Sequence, residues 1–384
     1  MSSKSAKDFV VERTTGPDAL QNGIEMRSKM RGTLADEQDM RALGRTQQLN
    51  RNFRFISTLG FACTLMSTWE IALMTSSFAL LNGGTAGLIW GYLFVWFGYM
   101  LVFASIAEMA SMAPTSGGQY HWVSEFASPG VQRFVSYIVG WVSVLGWQVG
   151  LASLAFLVGT MIQGLLVLND AAYVFRAWHG TLLVIAVTAF CIVFNTFLAK
   201  RLPMVEGMVL IVHILGFFAV LVPLWVLAPR GDPHAVFTEF LNLGGWPTTG
   251  LSFMVGLLSP VYTLIGADSA VHMSEEIQDA SRVLPRAIMW AAGVNGSLGF
   301  VMVVTFCSTL GSVLDVVDTP TGYPFIQVFF NATRSHAGTS IMTAVVIVNI
   351  TGCPFPPLSP TSNPAGTSRS TRCCSRSSSR ACSR

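Results

Sequence analysis

The chain has 384 residues, of which 52% are hydrophobic and 11% charged, and its formal net charge is +3. Soluble proteins carry about 25% charged residues, so an ordinary soluble domain is excluded, and no nucleic-acid surface is readable in the chain. The composition is that of an all-α polytopic membrane protein.

Residues 1–50 mix acids and bases around no apolar core. They read as a disordered cytosolic tail and not as a signal peptide. Eight apolar runs follow, at 55–81, 86–112, 131–168, 181–198, 205–228, 251–273, 287–310 and 341–350. The first seven reach the roughly 20 residues that cross a bilayer as a helix, and the eighth stops short. Together, 51–350 form one transmembrane domain. Basic residues near the span ends set orientation. With the N-terminus inside, Arg51, Arg54, Arg133, Lys200, Arg201, Arg282 and Arg286 fall on the cytosolic side, against Arg176, Arg230 and Arg334 outside.

Two runs are interrupted by polarity. The first reads Gly60-Phe-Ala-Cys-Thr-Leu-Met-Ser-Thr-Trp-Glu70, and the sixth reads Ser259-Pro-Val-Tyr-Thr-Leu-Ile-Gly-Ala-Asp-Ser-Ala-Val-His272. A charge at the centre of a spanning helix costs roughly 2.5–3.5 kcal/mol, so residues of this kind are expected to have a use. Broken helices at corresponding places in two halves point to the central site of a transporter. After the second run, Glu108-Met-Ala-Ser-Met-Ala-Pro-Thr-Ser-Gly-Gly-Gln-Tyr-His-Trp122 places a helix-stopping Pro114 before Gly117 and Gly118. Proline ends the helix and paired glycines permit a sharp re-entry, which suits a bending gate or an ordinary tight loop. Gly83-Gly-Thr-Ala-Gly87 reads as a short outer turn, because no Lys-Ser/Thr follows it as in a phosphate loop. Cys63, Cys191 and Cys307 lie within spans, where such residues pack; no disulfide framework or metal-ligand spacing is readable.

Beyond residue 350 the composition changes. Residues 351–384 are built largely of Ser, Pro, Thr, Arg and Cys, and the five arginines there exceed the net charge of the whole chain. This segment reads as an aberrant tail, from a shifted frame or a retained intron, that replaces the true C-terminus; a functional Arg/Ser-rich tail is the other reading.

The segment from Ala107 to Tyr120 resembles the loop after the second helix in the amino acid–polyamine–organocation transporter superfamily. Gly266-Ala-Asp-Ser-Ala-Val-His-Met-Ser-Glu-Glu276, followed by Asp279-Ala and Pro285-Arg-Ala, is similar to the sixth-helix signature of that family. His272-Met-Ser-Glu-Glu276 together with Thr68-Trp-Glu70 is closest to its fungal branch of GABA, choline and amino acid permeases. The resemblance covers about residues 51–350 and implies a five-helix inverted-repeat fold, here with a complete first repeat and an incomplete second one. It also implies that the first and sixth helices unwind at a substrate site. Unwinding frees backbone groups, and half-helix ends carry partial charge.

Under that resemblance the substrate-facing candidates are Thr64, Ser67, Thr68 and Glu70 in the first helix, and Tyr262, Thr263, Gly266 and Asp268 in the sixth. The first helix departs from the family's Gly-x-Gly-like break, since Cys63-Thr64 stands there. Glu70 would face an amine, accept a proton, or serve as a hydrogen-bonded structural carboxylate. Asp268 would hold substrate or cap the inner half-helix. Glu108, Pro114, Gly117, Gly118, Glu275, Glu276 and Arg282 are the gate and loop candidates, with Glu275 and Glu276 expected to pair with Arg282 or Arg286. Trp141, Trp147 and Gln148 would line a vestibule or pack, and His213 and His272 would relay protons or pack.

The expected function is secondary active transport of a small amine or amino acid across the lipid bilayer by alternating access, coupled to protons, with no cofactor, no metal and no nucleic acid. Two further readings stand beside it. A seven-helix receptor would need its N-terminus outside, against the basic-residue bias. A product lacking the rest of the second repeat would transport nothing.

Overall fold

The computed structural model describes residues 32–197 and 202–352, without the side chains of Asn195, Leu202 and Pro203. Among them, seven helical stretches are long and apolar enough to cross a bilayer, and no strand forms beyond one isolated bridge. The architecture is an all-α polytopic bundle. Of the expected tail at 351–384, Thr351 and Gly352 close the last helix and 353–384 lie outside the described residues.

The helices run in chain order as α1 (Leu34–Ala42), α2 (Phe55–Met66), α3 (Thr68–Met74), α4 (Ser76–Met112), α5 (Gln119–Phe126) and α6 (Gln132–Asn169). They continue as α7 (Ala177–Phe197), α8 (Leu202–Leu227), α9 (Pro233–Thr238), α10 (Thr249–Gly256) and α11 (Leu258–Thr263). A 3₁₀ helix, Ala267–Glu276, precedes α12 (Ala280–Thr309), α13 (Val313–Val317), α14 (Pro324–Thr333) and α15 (His336–Gly352). The first span is α2 and α3 together, and the sixth is α10, α11 and the 3₁₀ helix. Against the eight runs, α4 begins about ten residues early, at Ser76, and α15 begins at His336 and has 17 residues, at the lower edge of a spanning length.

Glycine decides two places in the frame. Gly84 has φ 69° and ψ −164°, which divides α4 where the sequence predicts an outer turn. A Cβ there would lie 3.1 Å from the Glu239 carbonyl oxygen and the Leu241 nitrogen, so the following loop closes against bare backbone. On α12, Gly296 and Gly299 receive the Trp96 and Tyr92 rings of α4. Trp96 donates to the Ala292 carbonyl at 3.1 Å and Tyr92 to the Gly296 carbonyl at 3.0 Å. Aromatic rings on helix backbone fix the second and seventh spans against each other.

Residues 32–50 were expected within a disordered tail, yet they carry α1 and dock on the bundle. Thr33 and Asp36 form a capping box on α1. The Asp36 carboxylate also accepts from the Asp279 and Ala280 N–H groups at 3.2 and 3.3 Å, which satisfies the open start of α12. Arg51 and Asp36 are both buried and pair at 3.1 Å. Arg51 donates further to the carbonyls of Ser274 and Ile277. Burial pulls this guanidinium below its ordinary value while Asp36, Glu275, Asp39 and Asp279 act the other way. The Phe53 N–H meets the Glu276 carbonyl at 3.0 Å and the Gln278 N–H meets the Phe53 carbonyl at 2.9 Å, tying the bases of the first and sixth spans together.

Candidate functional site

Both interrupted runs are broken, and the breaks touch. In the first span the helix stops at Met66, and Ser67 adopts φ 35° and ψ 47° before α3 begins. A left-handed non-glycine residue is uncommon. Here it is held by its own contacts: the Ser67 N–H donates to the Cys63 carbonyl at 3.1 Å and its hydroxyl to the Thr64 carbonyl at 2.6 Å. The break thus forms without the family's glycines, three to four residues past Cys63-Thr64.

In the sixth span Pro260 has no N–H to offer the turn before it, and the helical pattern lapses at Leu257 between α10 and α11. It breaks fully at Gly266, with φ 115°. A Cβ on Gly266 would lie 3.2 Å from the Leu65 carbonyl oxygen and 3.5 Å from the Met66 Cα. The missing side chain is what lets the two breaks meet backbone to backbone.

The predicted residues divide into those at the junction and those tied elsewhere. Thr64, Ser67, Thr68 and Glu70 are all buried. Thr64 returns its hydroxyl to the Phe61 carbonyl at 3.0 Å. The Thr68 Oγ1 and the Glu70 Oε2 are buried, with no hydrogen-bond partner among the described residues. Thr263 donates to the Ser259 carbonyl at 2.8 Å and lies 3.3 Å from the Thr75 hydroxyl, where α3 ends. Tyr262 reaches the third span instead, with its hydroxyl 2.6 Å from Ser153 of α6. Asp268 sits in the first turn of the 3₁₀ helix, and among the described residues its carboxylate is not bonded to a backbone N–H of that helix. Its carboxylate accepts from Gln119 at 2.8 Å. Gln119 is a site residue that sequence reading missed, for it was one letter in a loop motif and nothing in its spacing tied it to residue 268.

The loop candidates cluster with the 3₁₀ helix. Pro114, Gly117 and Gly118 are buried, and a Cβ on Gly118, whose φ is 54°, would sit 3.1 Å from Val271. The His272 Nδ1 lies 3.1 Å from the Ser116 carbonyl, and its ring meets Trp147 edge-on at 5.6 Å. Glu108, by contrast, is exposed. The expected ion pairs are corrected: among the described residues neither Glu275 nor Glu276 pairs with Arg282 or Arg286. Glu275 pairs with Arg45 at 3.2 Å and accepts from Ser116 at 3.1 Å. The reason is α1, whose docking brings Arg45 to the loop. Trp141, Trp147 and Gln148 are exposed on α6.

A second polar cluster lies behind the break. The His213 Nδ1, on α8, is 2.7 Å from the Glu70 Oε1, and both residues are buried. The His213 Nε2 is 3.3 Å from the Asn295 Oδ1, and the Asn295 Nδ2 donates to the Cys63 carbonyl at 2.8 Å. Trp69 donates to the His213 carbonyl at 3.2 Å. From sequence, Glu70 and His213 were separate candidates; Asn295 was not among them, although an amide in mid-run was itself a signal.

Two discontinuous helices whose breaks face each other inside an all-α polytopic bundle define the membrane-transporter class of architecture. The chain belongs to the amino acid permease family, which it matches over residues 53–353. It is 29% identical over 291 residues to a protein of Macrophomina phaseolina provisionally named an amino acid/polyamine transporter, covering 76% of this chain and 64% of that one. It is similar to the choline transporter of Saccharomyces cerevisiae, at 26% over 308 residues, covering 79% and 54%. It is also similar to amino-acid permease 2 of Neurospora crassa, at 27% over 303 residues, covering 78% and 56%. The chain therefore spans somewhat more than half the length of these relatives.

Proposed function

We propose that this chain serves secondary active transport of a small amine or amino acid by alternating access, driven by a proton gradient. The observation that carries this reading is the backbone contact of Gly266 with Leu65 and Met66. Breaks that meet in mid-membrane place half-helix ends and freed carbonyls around one point, which suits a solute bearing both an ammonium and a carboxylate. Thr64, Ser67, Thr68 and Gly266 form the backbone side of the site, and Asp268 with Tyr262 and Thr263 lines its sixth-span side. Asp268 is the carboxylate for a substrate amine, oriented by Gln119. Glu70 stands apart from these, because His213 already occupies one of its oxygens.

The names of the relatives support amines and amino acids as the substrate class. Choline, GABA and neutral amino acids are the set to test. Arg51, Arg54, Arg133, Arg282 and Arg286 favour a cytosolic N-terminus, in a plasma or vacuolar membrane. The membrane potential supplies roughly 2.3 kcal/mol per charge per 100 mV, enough for useful accumulation.

The test is uptake of choline, GABA and neutral amino acids by the purified chain in liposomes under an imposed pH gradient. Accumulation of one of them, lost in Gly266→Ala and in Asp268→Asn, is the expected result. Absence of both accumulation and exchange for every solute overturns the reading.

A further inference from the structure

The Glu70–His213–Asn295 cluster has a property that packing alone does not require. The Asn295 Nδ2 faces the Cys63 carbonyl, which can only accept, so its Oδ1 must be the atom turned toward His213. The other ring nitrogen faces a carboxylate oxygen of Glu70. Both imidazole nitrogens thus point at acceptors. An imidazolium donates from both and satisfies the arrangement; a neutral ring leaves one lone pair against an oxygen lone pair.

We propose that Glu70, His213 and Asn295 form a proton-binding relay distinct from the substrate site, in which loss of the imidazolium proton weakens the hold of Asn295 on the Cys63 carbonyl and loosens the break at Ser67. The Cys63 carbonyl is the joint of this relay, since it accepts both from Asn295 and from the Ser67 N–H that closes the break. Deprotonation also leaves the Glu70 carboxylate, whose Oε2 has no partner among the described residues, uncompensated within a span. That state is costly in lipid and is relieved when the site opens to water. One proton taken or released is thereby linked to the shape of the first span.

Other elements bring little charge to the pair. Tyr92 of α4 spends its hydroxyl on the Gly296 carbonyl, and Cys63 of α2 contributes its carbonyl. Tyr262 of α11 is joined to Ser153. Glu206 lies on α8 itself, about two turns from His213. The α12 arginines, Arg282 and Arg286, stand in its first two turns, about two or more turns before Asn295. Cys307, later on α12, directs its thiol at the Thr85 carbonyl. Arg334 and His336 stand at the junction of α14 and α15, whose remaining residues are uncharged.

The transport part of this proposal rests on the function proposed above; the relay itself is tested without transport. The readout is hydrogen exchange of the Ser67 amide in the purified chain, corrected for the intrinsic pH dependence of exchange. Protection should fall by about tenfold as pH rises from about 6 to about 10, a range wide enough to cover an imidazole whose two neighbours both favour the imidazolium. The dependence should vanish in Glu70→Gln, in His213→Gln and in Asn295→Leu, with exchange in α7 unchanged as the measure of an intact fold. A pH-independent Ser67 amide in the native chain overturns the proposal, as does a dependence that survives any of the three substitutions. In liposomes, His213→Gln should keep solute exchange while losing proton-driven accumulation. Failure of exchange in the unaltered chain strikes the transport reading and leaves the amide result standing.

Discussion

Ser67 is the residue on which the first break turns, and a serine at φ 35° is an unusual choice. Backbone strain of this kind costs about 1–3 kcal/mol, and the hydroxyl bond to the Thr64 carbonyl returns part of it. Replacing Ser67 by glycine removes the strain and the hydrogen bond together, so the melting temperature in detergent should change little. Ser67→Val brings a β-branched side chain into left-handed backbone and loses the bond. It should destabilise by about 1–3 kcal/mol, read as a clear drop in melting temperature. The position of this break was only partly legible. The polar run Thr64–Ser67–Thr68 marks where apolar continuity fails, yet polarity does not say which residue takes positive φ. Gly266 was legible, because glycine is the residue that adopts φ 115° without a steric penalty. The partners of Glu70 and Asp268 were not, since His213 and Gln119 lie 143 and 149 positions away in the chain.

At the level of elements, α1 departs most from its reading in the sequence. Its composition is polar, and polarity predicts a free segment; instead it docks through hydrogen bonds and ion pairs, which leave no apolar periodicity to read. The Asp36–Arg51 pair gives a direct check. Breaking a buried pair by removing one partner costs about 3–5 kcal/mol, whereas replacing both by apolar groups is often neutral. Asp36→Leu or Arg51→Met alone should therefore destabilise strongly, and the double substitution should recover only part of the loss in a thermal double-mutant cycle, because the α12 N–H groups and the Ser274 and Ile277 carbonyls lose their partners as well. Helix α5 carries a pH dependence. Burial and Arg45 hold His121 below its ordinary value of 6.5, against Glu125 and Glu275. The unfolded chain then takes up its proton first as pH falls, so this residue lowers stability from about pH 6.5 downward until the folded imidazole also titrates. His121→Gln should flatten the acid limb of the stability profile measured by thermal unfolding.

For the whole molecule, run lengths and composition were enough to place seven spans and their order, because lipid tolerates little besides apolar helix. They were not enough to show which spans travel together. The Phe53–Ile277 bridge joins the first and sixth at their bases, and a disulfide between Phe53→Cys and Ile277→Cys should form on oxidation and leave solute exchange intact; inhibition on oxidation would mean that the two spans part during the cycle. The rings of Trp96 and Tyr92, seated on Gly296 and Gly299, act in the same sense on the second and seventh spans. A keel of this kind has no slack: one added methyl at Gly299 would strike the Tyr92 hydroxyl and the Thr68 methyl at once. Sliding is thereby diverted to the flank where, among the described residues, the third span meets the sixth through a hydroxyl pair and an edge-on ring, and that flank is where shear can occur without unseating the keel.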